Sequence, residues 1–281
     1  MRKAYVKNNQ IALYGIMLRE VFIMYIIISV SIIVSAYMIY NQMENMSRIY
    51  SCALDGIVVW CTSSMLNLGL LPVIISVFLH MHYDIYMRNV CVIKQKSRTV
   101  MWFNEQKLSL IICSVAFTWS MILSFVLAYI MNKGNIYANV SDDLFFTNTY
   151  YGIMLSQCTD IQAGQETLIP AINIVWVIIR VWLINMLQLY MVVMAADVIY
   201  WLSGKRLFST IILSAMCMIT AIFPKSRRYA YVLGIKVKAY SYYLEVLNIN
   251  VWLKHIFIML VIILLTNVVM SFVVKNKDMV M

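Results

Sequence analysis

Six apolar runs alternate with clusters of charge along the chain, and most are about the length a helix needs to cross a membrane. A bilayer core of about 30 Å takes about 20 apolar residues in helical form. By that measure the runs place spans at about 21–40, 56–80, 108–131, 170–201, 207–223 and 251–274. The first, Val21 to Tyr40, holds no charge at all. The second contains Gly69 and Pro72, which predict a kink of the kind a packed bundle tolerates. The fourth opens on Pro170, a good first-turn residue, and stays apolar to Trp201, so it should protrude or tilt strongly. Residues 8–20 mix Ile11, Leu13, Ile16 and Met17 with Asn9, Gln10 and Arg19, which suits a short helix lying in the interface.

Arg2, Lys3 and Lys7 ahead of an apolar run imitate a secretory signal. The run is longer than a signal core of about 7–15 residues and five more follow, so it reads as an uncleaved first span. No repeat, low-complexity tract or linker divides the chain, and residues 1–281 read as a single transmembrane domain. The expected fold is an all-α integral membrane protein of six spans with an N-terminal interfacial helix.

Charge gives the expected orientation. With the N-terminus inside, inner segments carry thirteen Lys and Arg and outer segments seven, so both termini are expected in the cytoplasm. The stretch from Asn132 to Ile169 agrees, holding one Lys against Asp142, Asp143, Asp160 and Glu166. The segment 224–250 does not, with Lys225, Arg227, Arg228, Lys236 and Lys238 on the outer side.

Composition sharpens the class. Hydrophobic residues make up 63% of the chain and charged residues 12%, against about 25% charged in an average soluble protein. Mean hydropathy is +0.82. A soluble fold cannot hide so much apolar surface. The net charge of +10 is spread between apolar runs, which is the placing of membrane-flanking cations and not of a nucleic-acid-binding face. Of six cysteines only Cys52 and Cys158 fall in segments placed outside, so only those two could form a disulfide there.

Catalytic equipment is not found in the pattern. There is no phosphate loop, no H-E-x-x-H, no G-x-S-x-G and no pair of carboxylates within one span. His80 and His82 point to different faces of a helix with no third ligand in sequence, so they read as interfacial residues and no metal site is expected. Arg180 is the one charge expected near mid-bilayer. Asn173 and Trp176 lie within about 40° of it on a helical wheel, which makes these three the candidate translocation-pathway residues. The alternative for Arg180 is a structural pairing that locks the bundle. Asp197, expected at the inner membrane edge near Lys205 and Arg206, reads as one half of an ion pair there. Between the second and third spans, Tyr83, Met87, Val90 and Cys91 recur at helical spacing among Asp84, Arg88 and Lys94. That amphipathic order predicts a helix over 83–98 lying along the inner surface.

In these features the chain resembles the permease subunits of type-2 ABC exporters, particularly the small drug-export and bacteriocin-immunity branch of Gram-positive bacteria. The resemblance rests on the basic N-terminal helix, the six spans with both ends inside, and Asp84, Arg88, Ser97, Arg98 and Lys107 at spacings similar to the family's. It implies a multi-pass protein of a bacterial plasma membrane, with Asp84, Arg88, Ser97 and Arg98 coupling it to a separate pair of ATPase subunits that bind ATP and Mg. It also implies a second permease, identical or related, to complete the pore, and outward-facing re-entrant or interfacial helices in 224–250. The alternating Ile235, Lys236, Val237 and Lys238 depart from that last feature.

The expected function is therefore a pore for an amphipathic cargo, such as an antimicrobial peptide, drug or lipid, with no catalytic residue in this chain. Met- and aromatic-rich walls suit that cargo. The alternatives are an ion-gradient-driven transporter, which the lack of mid-span carboxylates disfavours, and a membrane scaffold or sensor.

Overall fold

A computed structural model describes residues 19–35, 37, 53–57, 70–88, 97–131, 174–222 and 249–276. Residues 8–18 of the interfacial helix expected over 8–20, the acidic stretch 132–169, residues 224–248 of the segment 224–250, and both Cys52 and Cys158 lie outside the described residues. What is described is helical, with no strand. We name the helices α1 (19–35), α2 (Leu71–Arg88), α3 (Arg98–Met131), α4 (Ile174–Ser203), α5 (Arg206–Ile222) and α6 (Ile249–Asn276). A short turn of helix at Ala53–Asp55 precedes α2.

Three of these helices are long and apolar enough to cross a membrane: Arg98–Met131, Val175–Ser203 and Ile249–Lys275. That is compatible with a membrane protein. Pro72 falls in the first turn of α2, where a missing N–H costs nothing because that group has no partner inside the helix. Pro72 thus opens a helix where a kink inside the span 56–80 was expected, and Gly69 lies outside the described residues.

Two boundaries differ from the sequence pattern. α2 does not stop at His80 but runs on to Arg88, and α3 starts at Arg98, ten residues before the apolar run at Leu108. At about 1.5 Å per residue, the 34 residues of α3 reach about 50 Å, well beyond a bilayer core. Hydropathy marks where lipid would be and does not mark where the backbone stops being helical. The Tyr83 hydroxyl reaches the Glu105 carbonyl at 3.2 Å, so the two helices still pack on each other beyond their apolar runs.

α4 is the axis of the bundle. It touches α2, α3, α5 and α6, and Val181, Ile184, Leu189, Val193 and Ala196 on it are buried. It ends in a left-handed cap: Gly204 has φ of 68° and its N–H donates to the Tyr200 carbonyl at 2.8 Å. Only a residue without a Cβ adopts that conformation freely. The chain then turns straight into α5, and the Ser209 hydroxyl donates back to the Ala196 carbonyl at 2.6 Å.

α3 carries small residues at every fourth position, Ala116, Ser120, Ser124 and Ala128, all buried. They let the segment holding Gly56 approach at backbone distance. A Cβ at position 56 would collide with the Ser124 carbonyl oxygen and lie 2.7 Å from the Ala128 Cβ. Membrane helices pack closely in this way, since lipid tails leave little hydrophobic drive for association. α1 buries one stripe, Met24, Ile28 and Ile32, and is fixed to α3 where the Trp119 indole donates to Ser29 Oγ at 2.9 Å.

Candidate functional site

At the end of the bundle where α2 finishes and α3 begins, four helices bring polar side chains into an otherwise apolar interior. Asp197 of α4 is the centre, with no solvent exposure. Its Oδ1 accepts from His80 Nε2 of α2 at 3.1 Å, and its Oδ2 accepts from Ser109 Oγ at 2.9 Å and Gln106 Nε2 at 3.2 Å, both of α3. His80 and Ser109 are also fully buried.

A second layer orients those donors. The Tyr83 hydroxyl lies 2.8 Å from Ser109 Oγ and donates to the Glu105 carbonyl at 3.2 Å. The Tyr190 hydroxyl donates to Gln106 Oε1 at 3.1 Å, which fixes the amide so that its nitrogen faces Asp197. The His80 ring stacks on Tyr200 at 4.6 Å between centroids. Three donors on one carboxylate are the arrangement that makes a buried charge tolerable.

Glu105 lies beside this centre and is treated differently. Its Oε2 accepts from the Trp201 indole of α4 at 2.6 Å, while Oε1 has no partner. The residue is 4% exposed, and among the described residues no Lys or Arg pairs with it. His80 Nδ1 and Ser76 Oγ are the other buried polar side-chain atoms without a hydrogen bond among the described residues. Further along, the Trp102 indole donates to Asn267 Oδ1 at 3.0 Å, which ties α6 into the same end.

The arrangement does not set Ser109 up as a nucleophile. A serine nucleophile needs a hydrogen bond to a histidine base, and Ser109 instead donates to the acid that orients the histidine. No group of three or more His, Cys, Asp or Glu that could hold a metal occurs among the described residues. What the site does is join α2, α3 and α4 by bonds that all converge on one carboxylate.

Two readings from the sequence are corrected here. His80 is not interfacial; it is a buried partner of Asp197. Asp197 pairs with His80; of the two cations expected beside it, Lys205 is exposed and the side chain of Arg206 lies outside the described residues. Carboxylates inside the apolar bundle were likewise not expected. A signal for the site was nevertheless present. His80 with Tyr83, Glu105 with Ser109, and Asp197 with Trp201 each repeat at three or four residues, one polar stripe per helix.

The expected coupling residues flank this centre. Asp84 and Arg88 lie in the last turns of α2, and Arg98 opens α3. Ser97 caps α3, its Oγ accepting from the Val100 N–H at 3.3 Å. Residues 89–96 lie outside the described residues. Of the pathway candidates, Asn173 lies outside them too and Trp176 is 58% exposed. Arg180 packs against α6, with its guanidinium carbon 5.8 Å from the centroid of the Trp252 ring. The Trp252 indole donates to the Arg180 carbonyl at 3.3 Å.

No family model matches this chain, and neither does any curated protein or solved structure.

Proposed function

We propose that this chain is the membrane-spanning permease subunit of an exporter for amphipathic cargo, driven by a separate ATPase that docks on residues 84–98. One observation carries the reading. The two helices that bracket that segment, α2 and α3, lead into the bonds that hold α4: His80 on one side, Glu105, Gln106 and Ser109 on the other. A push on the segment would act directly on the Asp197 centre. Packed interiors respond to such a push by switching between discrete arrangements, and a converging polar network is a natural element to break and remake.

In this reading Asp84, Arg88 and Arg98 dock, α2 and α3 transmit, and the release of Asp197 lets α4 move. A second permease copy or relative would complete the pore in a bacterial plasma membrane. Six spans with both termini inside remain the topology that the charge pattern favours.

Purification of the full-length chain from its own membrane tests this. An ATPase with a phosphate loop should accompany it, and charge reversal at Arg98 should release that ATPase without lowering the amount of permease, since an exposed charge adds little to folding. One observation favours the second reading, an ion-gradient-driven transporter: Glu105 is a buried carboxyl with one oxygen unbonded. Export that a protonophore stops, with no ATPase accompanying the chain, would replace the first reading by the second.

A further inference from the structure

Two carboxyls meet across the contact of α3 with α4, one turn apart. Ser109 of α3 bonds Asp197 of α4, and four residues away on each helix, about 6 Å along the axis, Glu105 bonds Trp201. Their support is unequal. Asp197 accepts from Ser109, Gln106 and His80, whereas Glu105 accepts the Trp201 indole hydrogen on Oε2 and makes no bond at Oε1, which is buried. The other ionisable groups of this end are engaged or at the surface. On α2, His80 is bonded to Asp197 and the Tyr83 hydroxyl to the Glu105 carbonyl. On α4, Tyr190 is bonded to Gln106 and Tyr200 stacks on His80. Arg98 and Lys107 of α3, Lys205 ahead of α5 and Lys275 of α6 are exposed, and Glu20 of α1 and His82 of α2 lie beside Leu108.

We infer that Glu105 is a proton-binding site, whose Oε1 carries a hydrogen while α3 and α4 are packed and loses it when α4 moves away. With the hydrogen in place, Oε2 is the carbonyl oxygen of the acid and takes the Trp201 hydrogen. A carboxylate here would be a second anion one turn from Asp197, with a single donor. In a dry interior an unsupported charge costs far more than an unbonded hydroxyl, so the packed form keeps the acid. Separation of the helices lets water reach the carboxyl: the Oε1–H bond breaks, its electron pair stays on the carboxylate, and the proton leaves as hydronium. The packed form therefore binds one proton more than the separated form. Raising the pH favours separation, by at most about tenfold per pH unit for one proton. The site itself stands whichever energy source drives the chain; the movement of α4 coupled to it is the one in the transport reading above.

Infrared spectroscopy of the full chain in phosphatidylcholine nanodiscs reads the proton directly, because a protonated carboxyl has a carbonyl stretch that an ionised one lacks. At neutral pH this band should be present, should shift when glutamate side chains carry a heavy-carbon label, and should vanish in Glu105→Gln. Glu105→Asp should move the band to the aspartate label, which keeps the test decisive if Glu105→Gln folds poorly. Spin labels in place of Phe103 on α3 and Leu202 on α4, both exposed, should move apart over the pH range in which the band is lost. In Glu105→Gln, which imitates the acid, they should stay close at every pH. No band at neutral pH, or a band that survives in Glu105→Gln, would overturn the inference. A band that never titrates, or that titrates with the labels unmoved, would overturn the coupling to α4. The band and the movement in a chain that no ATPase accompanies would keep the site and discard the ATPase-driven reading; an accompanying ATPase without the band would do the reverse.

Discussion

α4 and α6 are both long, apolar and without a helix breaker, yet their surroundings are opposite. In the most apolar window of α4 72% of residues are buried, against 11% in α6, although α6 has the higher mean hydropathy, 2.8 against 1.9. The more apolar helix is the one on the outside. In water the order would be reversed, because burial removes apolar surface from solvent. With lipid as solvent that drive is gone, and position is set by what lipid cannot satisfy. α4 carries Asn185, Gln188, Asp197 and Trp201, which need partners, so it takes the centre. α6 is tied in through Trp252 and Asn267, and its Leu253, Phe257, Leu264, Val268 and Phe272 are exposed.

The comparison breaks most directly at Asp197. Asp197→Leu removes the acceptor of three donors and leaves His80 and Gln106 buried without it. Loss of one partner from a buried charged network costs about 3–5 kcal/mol. The thermal midpoint of the protein in detergent should fall steeply, and Asn267→Leu on α6 should cost no more than about 1 kcal/mol, the scale of one interhelical hydrogen bond in a membrane protein. Equal losses at the two positions would mean that the Asp197 network does not centre the bundle.

The same contrast explains what could be read from the sequence. The helical character of the described residues and the three long apolar helices follow from run length, because each depends on local properties; the kink expected at Pro72 within a span did not, since Pro72 sits in the first turn of α2. The Asp197 centre did not follow. His80, Glu105 and Asp197 sit just beyond or at the ends of apolar runs, where a charge ordinarily meets water, and only contact between helices that are distant in sequence makes those ends dry. His80 and Asp197 are 117 residues apart. A periodicity read one helix at a time shows a polar stripe on each and cannot say that the stripes face one another.

A milder test separates core from rim by packing alone. Leu189 on α4 is fully buried and Leu264 on α6 is 64% exposed. Leu→Ala in a soluble core costs about 2–5 kcal/mol, part of it transfer from water and part the cavity left behind. In a bilayer the transfer part shrinks, so Leu189→Ala should cost about 2 kcal/mol and Leu264→Ala less than about 0.5 kcal/mol. Chemical unfolding in mixed micelles measures both. A similar cost at both sites would show that α6 is covered by something other than lipid, such as a second copy.

The smallest effect belongs where the two helices meet, at Arg180 and Trp252. A guanidinium over an indole contributes about 0.5–2 kcal/mol depending on its exposure. Against that, an arginine placed deep in a membrane costs about 2.5–3.5 kcal/mol on insertion scales, and methionine relieves that cost. The two terms oppose each other, so Arg180→Met should change stability by no more than about 1 kcal/mol, with the Trp252 hydrogen bond to the residue 180 carbonyl intact because it needs only backbone. Export then discriminates. If the guanidinium serves cargo, the variant is stable and inactive, and Arg180→Lys restores part of the activity by restoring the charge. If it serves only the seam between α4 and α6, the variant is stable and active, and the functional difference between the two helices is confined to the Asp197 end. A loss of several kcal/mol would contradict both outcomes and place a buried partner of Arg180 at the centre of the bundle, which would make α6 as much a part of the core as α4.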